Sequence, residues 1–475
     1  MYDICYNTVY SLLRLIFKNT RKTIYIYIER EMSSNVIENA YEMNDDNYTS
    51  NGATKYTMVS NNRIGEEEKK AMIDVINGGR ITYGPVVKEF QEEFSQYIHS
   101  NYSVMVNSGS SAILLALSAA LNPTRLIVDN NDQGDRIVFV SSICWSTSVS
   151  PIIQLNCKPI YIDVDKSTAN VNYDDFKAKV EKYKPKVFIA VHVLGNFSNE
   201  WDKIVNLCKQ EHIILIEDAC EAMGSIYKNG QHAGTFGDFG CFSLYYSHTI
   251  TSGEGGIVTC KTLKDFDLLK MLRGHGWIRD ISEEKRLEIM NSNPNIDPRF
   301  LFANIGYNMR PLSIQAALAS VQLKKLDTFI DYRISIYNKL SEKIKEFSTI
   351  FTTLQMSRSI DDDDDNVLKC RIAWHGFPIA LHKSYQHQTD DFKKYLTLNN
   401  VENRPIISGN MARQPFNKLF QNHMDSEIIL PGADYIHEGG IFIGIHNFEM
   451  TNAMLDLFIN ACKTFDWTIC PTTDA

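Results

Sequence analysis

Between Ser103 and Cys260 short, almost wholly apolar runs return again and again, separated by polar turns and helical stretches. They are Ser103–Val106, Arg136–Val140, Pro159–Asp163, Val187–Val191, His212–Glu217, Gly240–Leu244 and Gly256–Cys260. Strands without an apolar/polar alternation are buried on both faces, which requires a mostly parallel sheet covered by helices. The fold class expected is therefore α/β, and ligands of such sheets gather at the carboxyl ends of the strands. Ala112–Leu121 reads as an apolar helix. From Pro311 to Lys343 apolar residues (Ile314, Ala317, Leu318, Val321, Leu326, Ile330) recur at helical spacing. That helical stretch leads to a smaller α+β part with strands expected at Ala373–Leu381 and Gly440–Ile445.

A chain of 475 residues exceeds the ~100–200 residues of one ordinary domain. The expected division is an N-terminal extension over 1–56, a large domain over 57–320, a small domain over 321–468 and a tail over 469–475. Glu31–Asn62 is polar and Asn-rich, with no apolar period, and reads as a flexible lead-in. Leu12–Phe17 is too short for a membrane span, and the stretch around it carries Arg14, Lys18, Arg21 and Lys22. It lacks a clear cleavage site for a signal peptide, although a targeting or peripheral membrane segment is an alternative. A formal net charge of -9 and a pI near 5.8 argue against general binding to nucleic acid or to membrane surfaces. The ten cysteines form no Cys-x-x-Cys pair and read as reduced cytoplasmic thiols rather than disulfides or a zinc site. Asp361–Asp365 reads as a solvated loop, since adjacent carboxylates repel and do not build a metal cage.

Three features suggest a phosphate-bearing ring as ligand. Asn107-Ser-Gly-Ser-Ser-Ala112 joins a strand to a helix, and the free N–H groups of a helix N-terminus attract phosphate. Asp218 ends a buried strand, where a carboxylate can pair with a protonated pyridine nitrogen. Trp145 follows a strand, where its face can stack on a planar ring. Each also has an ordinary structural reading, as a helix cap, a turn or salt-bridge residue, and a core aromatic.

The longest signature is Gly237-Asp-Phe-Gly-Cys-Phe-Ser-Leu-Tyr-Tyr-Ser-His-Thr-Ile-Thr-Ser-Gly-Glu-Gly-Gly256. It resembles the fold-type I sugar aminotransferases that act on nucleotide-linked 4-keto sugars, in which a Phe-Ser strand precedes the cofactor lysine and a Gly-Glu-Gly-Gly turn. Here the lysine position carries His248. The resemblance covers residues 88–449. Within that family it favours the small branch of nucleotide-sugar 3-dehydratases with histidine at this position, in particular those taking a GDP-linked 4-keto-6-deoxymannose. The segments that carry the narrower match are Val104–Ser110, Cys144–Thr147, Val193–Asn196, Glu217–Gly224, Gly274–Arg279, Gly306–Pro311 and Arg404–Asn410. One departure is Thr249, where these dehydratases often have a second histidine.

The resemblance implies a fold-type I architecture and pyridoxal 5'-phosphate as cofactor, passing through the pyridoxamine form, with L-glutamate as amino donor. It implies His248 as the catalytic base. Gly109, Ser110 and Ser243 would meet the phosphate, Trp145 would stack on the ring, Asp218 would pair with its nitrogen, and Glu221 would lie near its phenolic oxygen. Asn308 would reach the phosphate of a partner subunit in a homodimer. Arg310, His275 and Arg404 are candidates for the sugar diphosphate or the glutamate carboxylates. Four alternatives stay open: an active aminotransferase, for which no lysine stands in register (Lys261 and Lys264 lie beyond the glycine turn); an iron–sulfur dehydratase, for which the cysteines are too scattered; a non-catalytic binding protein; and a relative acting on a CDP, dTDP or UDP sugar.

Overall fold

The computed structural model describes residues 54–59, 64–125, 136–355, 370–421 and 428–469. Its first helices, α1 (Glu66–Asn77) and α2 (Pro85–Tyr97), lead into a seven-stranded sheet. The strands are β1 (Tyr102–Val106), β2 (Ile137–Ser141), β3 (Lys158–Ile162), β4 (Val187–Val191), β5 (Ile214–Asp218), β6 (Phe239–Ser243) and β7 (Gly256–Cys260). All seven apolar runs are strands, and the expected bounds differ by no more than two residues. The spatial order is β1-β7-β6-β5-β4-β2-β3. Neighbours from β6 to β3 run parallel, while β7 is antiparallel to both β1 and β6.

Alternate side chains of each strand enter two different hydrophobic clusters. Phe139, Phe188, Ala190, Leu215 and Phe242 join one. Val138, Val140, Val187, Ile189, Ile216 and Cys241 join the other. The two-residue period of a strand thus feeds a core on each face, which is why no polar face interrupts these runs. Between the strands lie α3 (Gly109–Ala120), α4 (Ser146–Gln154), α5 (Tyr173–Tyr183) and α6 (Trp201–Gln210), and after β7 come α7 (Leu263–Arg273) and α8 (Glu283–Ser292). The helical stretch expected from Pro311 to Lys343 is two helices, α9 (Ser313–Leu323) and α10 (Leu326–Lys343), broken at Lys324 and Lys325.

A second sheet follows, built from β8 (Phe351–Thr353), β9 (Gly376–Leu381), β10 (Asn403–Arg404) and β11 (Gly440–Gly444) in the order β10-β11-β9-β8. All its pairings are antiparallel. The strand expected from Ala373 begins at Gly376. Helices α11 (Thr389–Leu398), α12 (Phe416–Leu419), α13 (Pro431–Gly439) and α14 (Asn452–Thr464) complete this part. Among the described residues no helix is long and apolar enough to cross a membrane, and none of the eight described cysteines is bridged. Leu12–Phe17 and the Asp361–Asp365 run lie outside the described residues.

The lead-in expected over Glu31–Asn62 requires a correction where it is described. Residues 54–59 are docked rather than flexible. Tyr56 is fully buried, bridges in parallel to Val401 and donates its hydroxyl to the Gly444 carbonyl at 2.8 Å. Local polarity hid this, because one aromatic ring in a polar stretch carries the attachment. Replacing Tyr56→Phe should cost about 1–3 kcal/mol by leaving a buried carbonyl unpaired. Tyr56→Ala should cost about 3–5 kcal/mol, as for other buried aromatics. Urea midpoints test both, and an unchanged midpoint in the alanine variant would mean that the segment is undocked in solution.

Candidate active site

A cavity of ≈ 430 Å³ opens at the carboxyl ends of β2, β4, β5 and β6, within the size range of small-molecule sites. One wall is the first turn of α3. Ser108 caps that helix, its hydroxyl accepting the Ser111 N–H at 3.1 Å. Gly109 and Ser110 line the cavity beside it, and the Ser110 hydroxyl lies 2.9 Å from that of Thr147. Neither Gly109 nor Gly256 has room for a side chain. A Cβ on Gly109 would stand 2.7 Å from Cβ of Ser243, and one on Gly256 would stand 2.2 Å from the Ser108 carbonyl oxygen. The starts of β7 and α3 therefore touch backbone to backbone, which presses the helix turn against Ser243.

Across the cavity, Asp218 ends β5 and is almost fully buried. Its carboxylate accepts the Ser148 hydroxyl at 2.7 Å and the Cys220 N–H at 3.2 Å. The Cys220 thiol also bonds to it. All these donors are neutral, so the site favours a cationic partner. Trp145 precedes α4 and is 58% exposed on the cavity wall. Such exposure of a large ring leaves a flat apolar surface for stacking.

The third wall holds three proton-carrying groups. His248 lies in the turn after β6 and donates its backbone N–H to the Tyr245 carbonyl at 3.1 Å. Its ring centre is 4.9 Å from that of His375. Nε2 of His375 is in turn 3.9 Å from Oε1 of Glu221. Burial pushes the Glu221 carboxyl up to about 7, against the opposing pull of the Leu194 N–H donated to Oε2 at 2.8 Å. Although Thr249 replaces a second adjacent histidine, a second imidazole thus stands beside His248.

The cavity gathers Gly109, Ser110, Trp145, Asp218, Glu221, Ser243, His248 and Arg404. It does not include Asn308, Arg310 or His275. Asn308 bridges to Gly274 and accepts from Nε of Arg310 at 3.0 Å, while the His275 N–H donates to the Tyr307 carbonyl. Lys261 donates to the Phe236 carbonyl away from the cavity, and no described residue on its wall is a lysine. The motifs above did not single out His375, Tyr245 or Glu254 for the site. His375 precedes β9, and only the packing of the second sheet against the first brings it there.

The model of the DegT/DnrJ/EryC1/StrS aminotransferase family matches residues 62–462. The chain belongs to this family. Among its curated relatives, a GDP-4-keto-6-deoxy-D-mannose 3-dehydratase of Yersinia pseudotuberculosis is 32% identical over 394 residues, covering 83% of this chain and 95% of the relative. A solved E. coli GDP-4-keto-6-deoxy-D-mannose-3-dehydratase with bound hydrated PLP superposes with a TM-score of 0.74 at 28% identity, covering 86% of this chain and 98% of that one. Another solved GDP-4-keto-6-deoxymannose-3-dehydratase, holding a trapped PLP-glutamate adduct, gives 0.73 at 27% identity, with 86% and 99% covered. In this family member the helix turn, the exposed indole and the buried carboxylate suit a flat ring that bears a phosphate and a basic nitrogen.

The raised Glu221 pKa has a sign. The folded protein holds the proton up to about pH 7, the unfolded chain only to about 4.5. Stability linked to this group is complete below 4.5 and is lost as pH rises through 7. Glu221→Gln keeps the Leu194 contact without the titration. Its stability relative to the parent should therefore rise between pH 4.5 and 7 and level off above, as measured by urea melts across that range. A parallel pair of curves would refute the raised value.

Proposed function

We propose that this protein removes the C3 hydroxyl from a nucleotide-linked 4-keto-6-deoxyhexose, GDP-4-keto-6-deoxy-D-mannose, using pyridoxal 5'-phosphate and L-glutamate. The observation that carries this reading is His248 on the cavity wall where the family's aminotransferases carry the anchoring lysine. When bound, the cofactor would supply an amine for the sugar's C4 ketone and an electron sink. Gly109, Ser110 and Ser243 would hold its phosphate against the positive end of α3. Trp145 would cover one ring face, and Asp218 would keep the ring nitrogen protonated. Glu221, neutral at mildly acidic pH, would donate to the phenolic oxygen.

His248 moves the protons. Its imidazole takes one at the carbon to be activated and returns one to the departing C3 oxygen, which leaves as water. An unperturbed imidazole titrates near working pH and suits both steps. An imidazole offers no amine to carry the transfer through to an amino sugar. The released unsaturated amine loses ammonia in water, and the 4-keto-3,6-dideoxy sugar remains. Glutamate supplies the two electrons and leaves as its 2-keto acid.

Arg404 is the guanidinium on this wall and is assigned to a phosphate or carboxylate of the substrates. Asn308, Arg310 and His275 are assigned to the site of a second copy in a homodimer. Their neighbours Phe300, Phe302 and Ile305 support this, being 61%, 53% and 90% exposed. An apolar cluster of this kind marks a contact surface.

Incubation with GDP-4-keto-6-deoxymannose, pyridoxal phosphate and glutamate should give a sugar nucleotide lighter by one oxygen atom. A product with an amino group in place of the carbonyl oxygen would instead make the protein an aminotransferase. His248→Lys should bond the cofactor covalently, so that borohydride reduction adds its mass to the protein. Dehydration should fall by about 100-fold or more, as expected for loss of an acid–base group. Full dehydratase activity in that variant would remove His248 from the mechanism.

A further inference from the structure

We propose that His375 is a positioning residue for His248, and that the two imidazoles and the Glu221 carboxyl share protons as one chain along the cavity wall. The proposal rests on the dehydratase reading for its purpose, though not for its geometry. The rings of His248 and His375 are 4.9 Å apart, centre to centre, tilted by 42°. His375 reaches Glu221 on its other side at 3.9 Å. All three line the cavity.

Both neighbours are fixed to the backbone of His375 itself. Arg333, nearly fully buried, donates from one nitrogen to the carbonyls of Trp374 and His375, at 2.8 and 3.1 Å. Its Nε donates to Asn447 Oδ1 at 2.7 Å, and the Asn447 amide donates to the Thr249 carbonyl at 2.8 Å. The turn carrying His248 and the bend that carries His375 ahead of β9 are thus tied through one guanidinium. Leu194 makes the second tie. Its N–H binds Glu221, and its carbonyl accepts the His375 N–H at 3.0 Å. To do both, Leu194 adopts φ +53°, a left-handed conformation rare for a residue with a side chain. Strain of this kind persists only where the surroundings enforce it.

The geometry suits such a chain. His248 has to change its protonation state in each turnover, and two cationic rings at this separation repel each other. One proton held between the rings, with Glu221 as the next acceptor, meets both needs. The other titratable groups on the wall are Asp218, Cys220, Tyr245, Glu254 and Arg404. Removal of His375 leaves their charges in place.

The test uses the cofactor-free protein with isotope-labelled histidine, followed by NMR across pH, with His248 assigned from the missing signal of His248→Gln. In the parent, His248 should titrate in two coupled steps. In His375→Gln it should titrate in one, displaced by about half a unit or more. Glu221→Gln keeps both rings and should also displace the curve, which reads the chain from its far end should His375→Gln fail to fold. In the loaded enzyme, His375→Gln should lower kcat by about 10-fold with KM for glutamate within about twofold. A His248 titration unchanged in either folded variant overturns the proposal. The NMR measurement involves no sugar, so failure of the dehydratase reading would show separately, in the product mass.

Discussion

The charge of Asp218, met only by neutral donors, governs the rest of the site. A nearly buried carboxylate at the end of a central strand, given a hydroxyl, a thiol and one backbone N–H, gains from a cation that comes to it through the cavity. The other walls are arranged around that demand. The exposed indole of Trp145 and the capped turn of α3 define a plane and an anionic seat, so that a ring spanning them would carry a positive nitrogen toward Asp218. The sheet fixes the distances, because Asp218, Ser243 and the turn after Val106 all project from adjacent or paired strands of one sheet.

Exchange of an amine for an imidazole at position 248 changes what such a site can do without changing how it is built. A lysine would hold the cofactor by a covalent bond and carry an amino transfer to completion. On the proposed reading, the phosphate seat, the stacking face and the ion pair would supply all of the binding once His248 stands there. Proton transfer would be the residue's only duty, and a group with one duty gains from neighbours that set its orientation and its charge, as His375 and Glu221 are placed to do.

The large sheet was legible because its physics is local. A run such as Val187–Val191 is apolar on every residue, and burial on both faces leaves no other conformation so well satisfied. The glycine turn leading into β7 was legible only through the family resemblance, and the structure supplies the reason for its last member, since a side chain at Gly256 would collide with Ser108. What the sequence concealed depends on contacts between distant segments. His375 immediately precedes a strand of the second sheet and is held beside His248 by the Arg333 network and Leu194. Tyr56 sits in a polar stretch whose composition suggested a loose chain, and its burial is decided by a groove more than three hundred residues further on. Left-handed Leu194 gave no signal either, because glycine or asparagine is the usual mark of that conformation.

The attachment of Tyr56 also bears on how the molecule meets other chains. β10 is the outer strand of the second sheet, and an outer strand exposes unpaired N–H and C=O groups that invite a foreign chain to add on. Just ahead of β10, the Tyr56 N–H donates to the Asn400 carbonyl, and the Glu402 N–H donates back to the Tyr56 carbonyl. The protein's own chain thus occupies the margin next to Arg404. While Tyr56 is docked, a stray strand cannot pair at that margin, which lies next to a residue of the cavity wall.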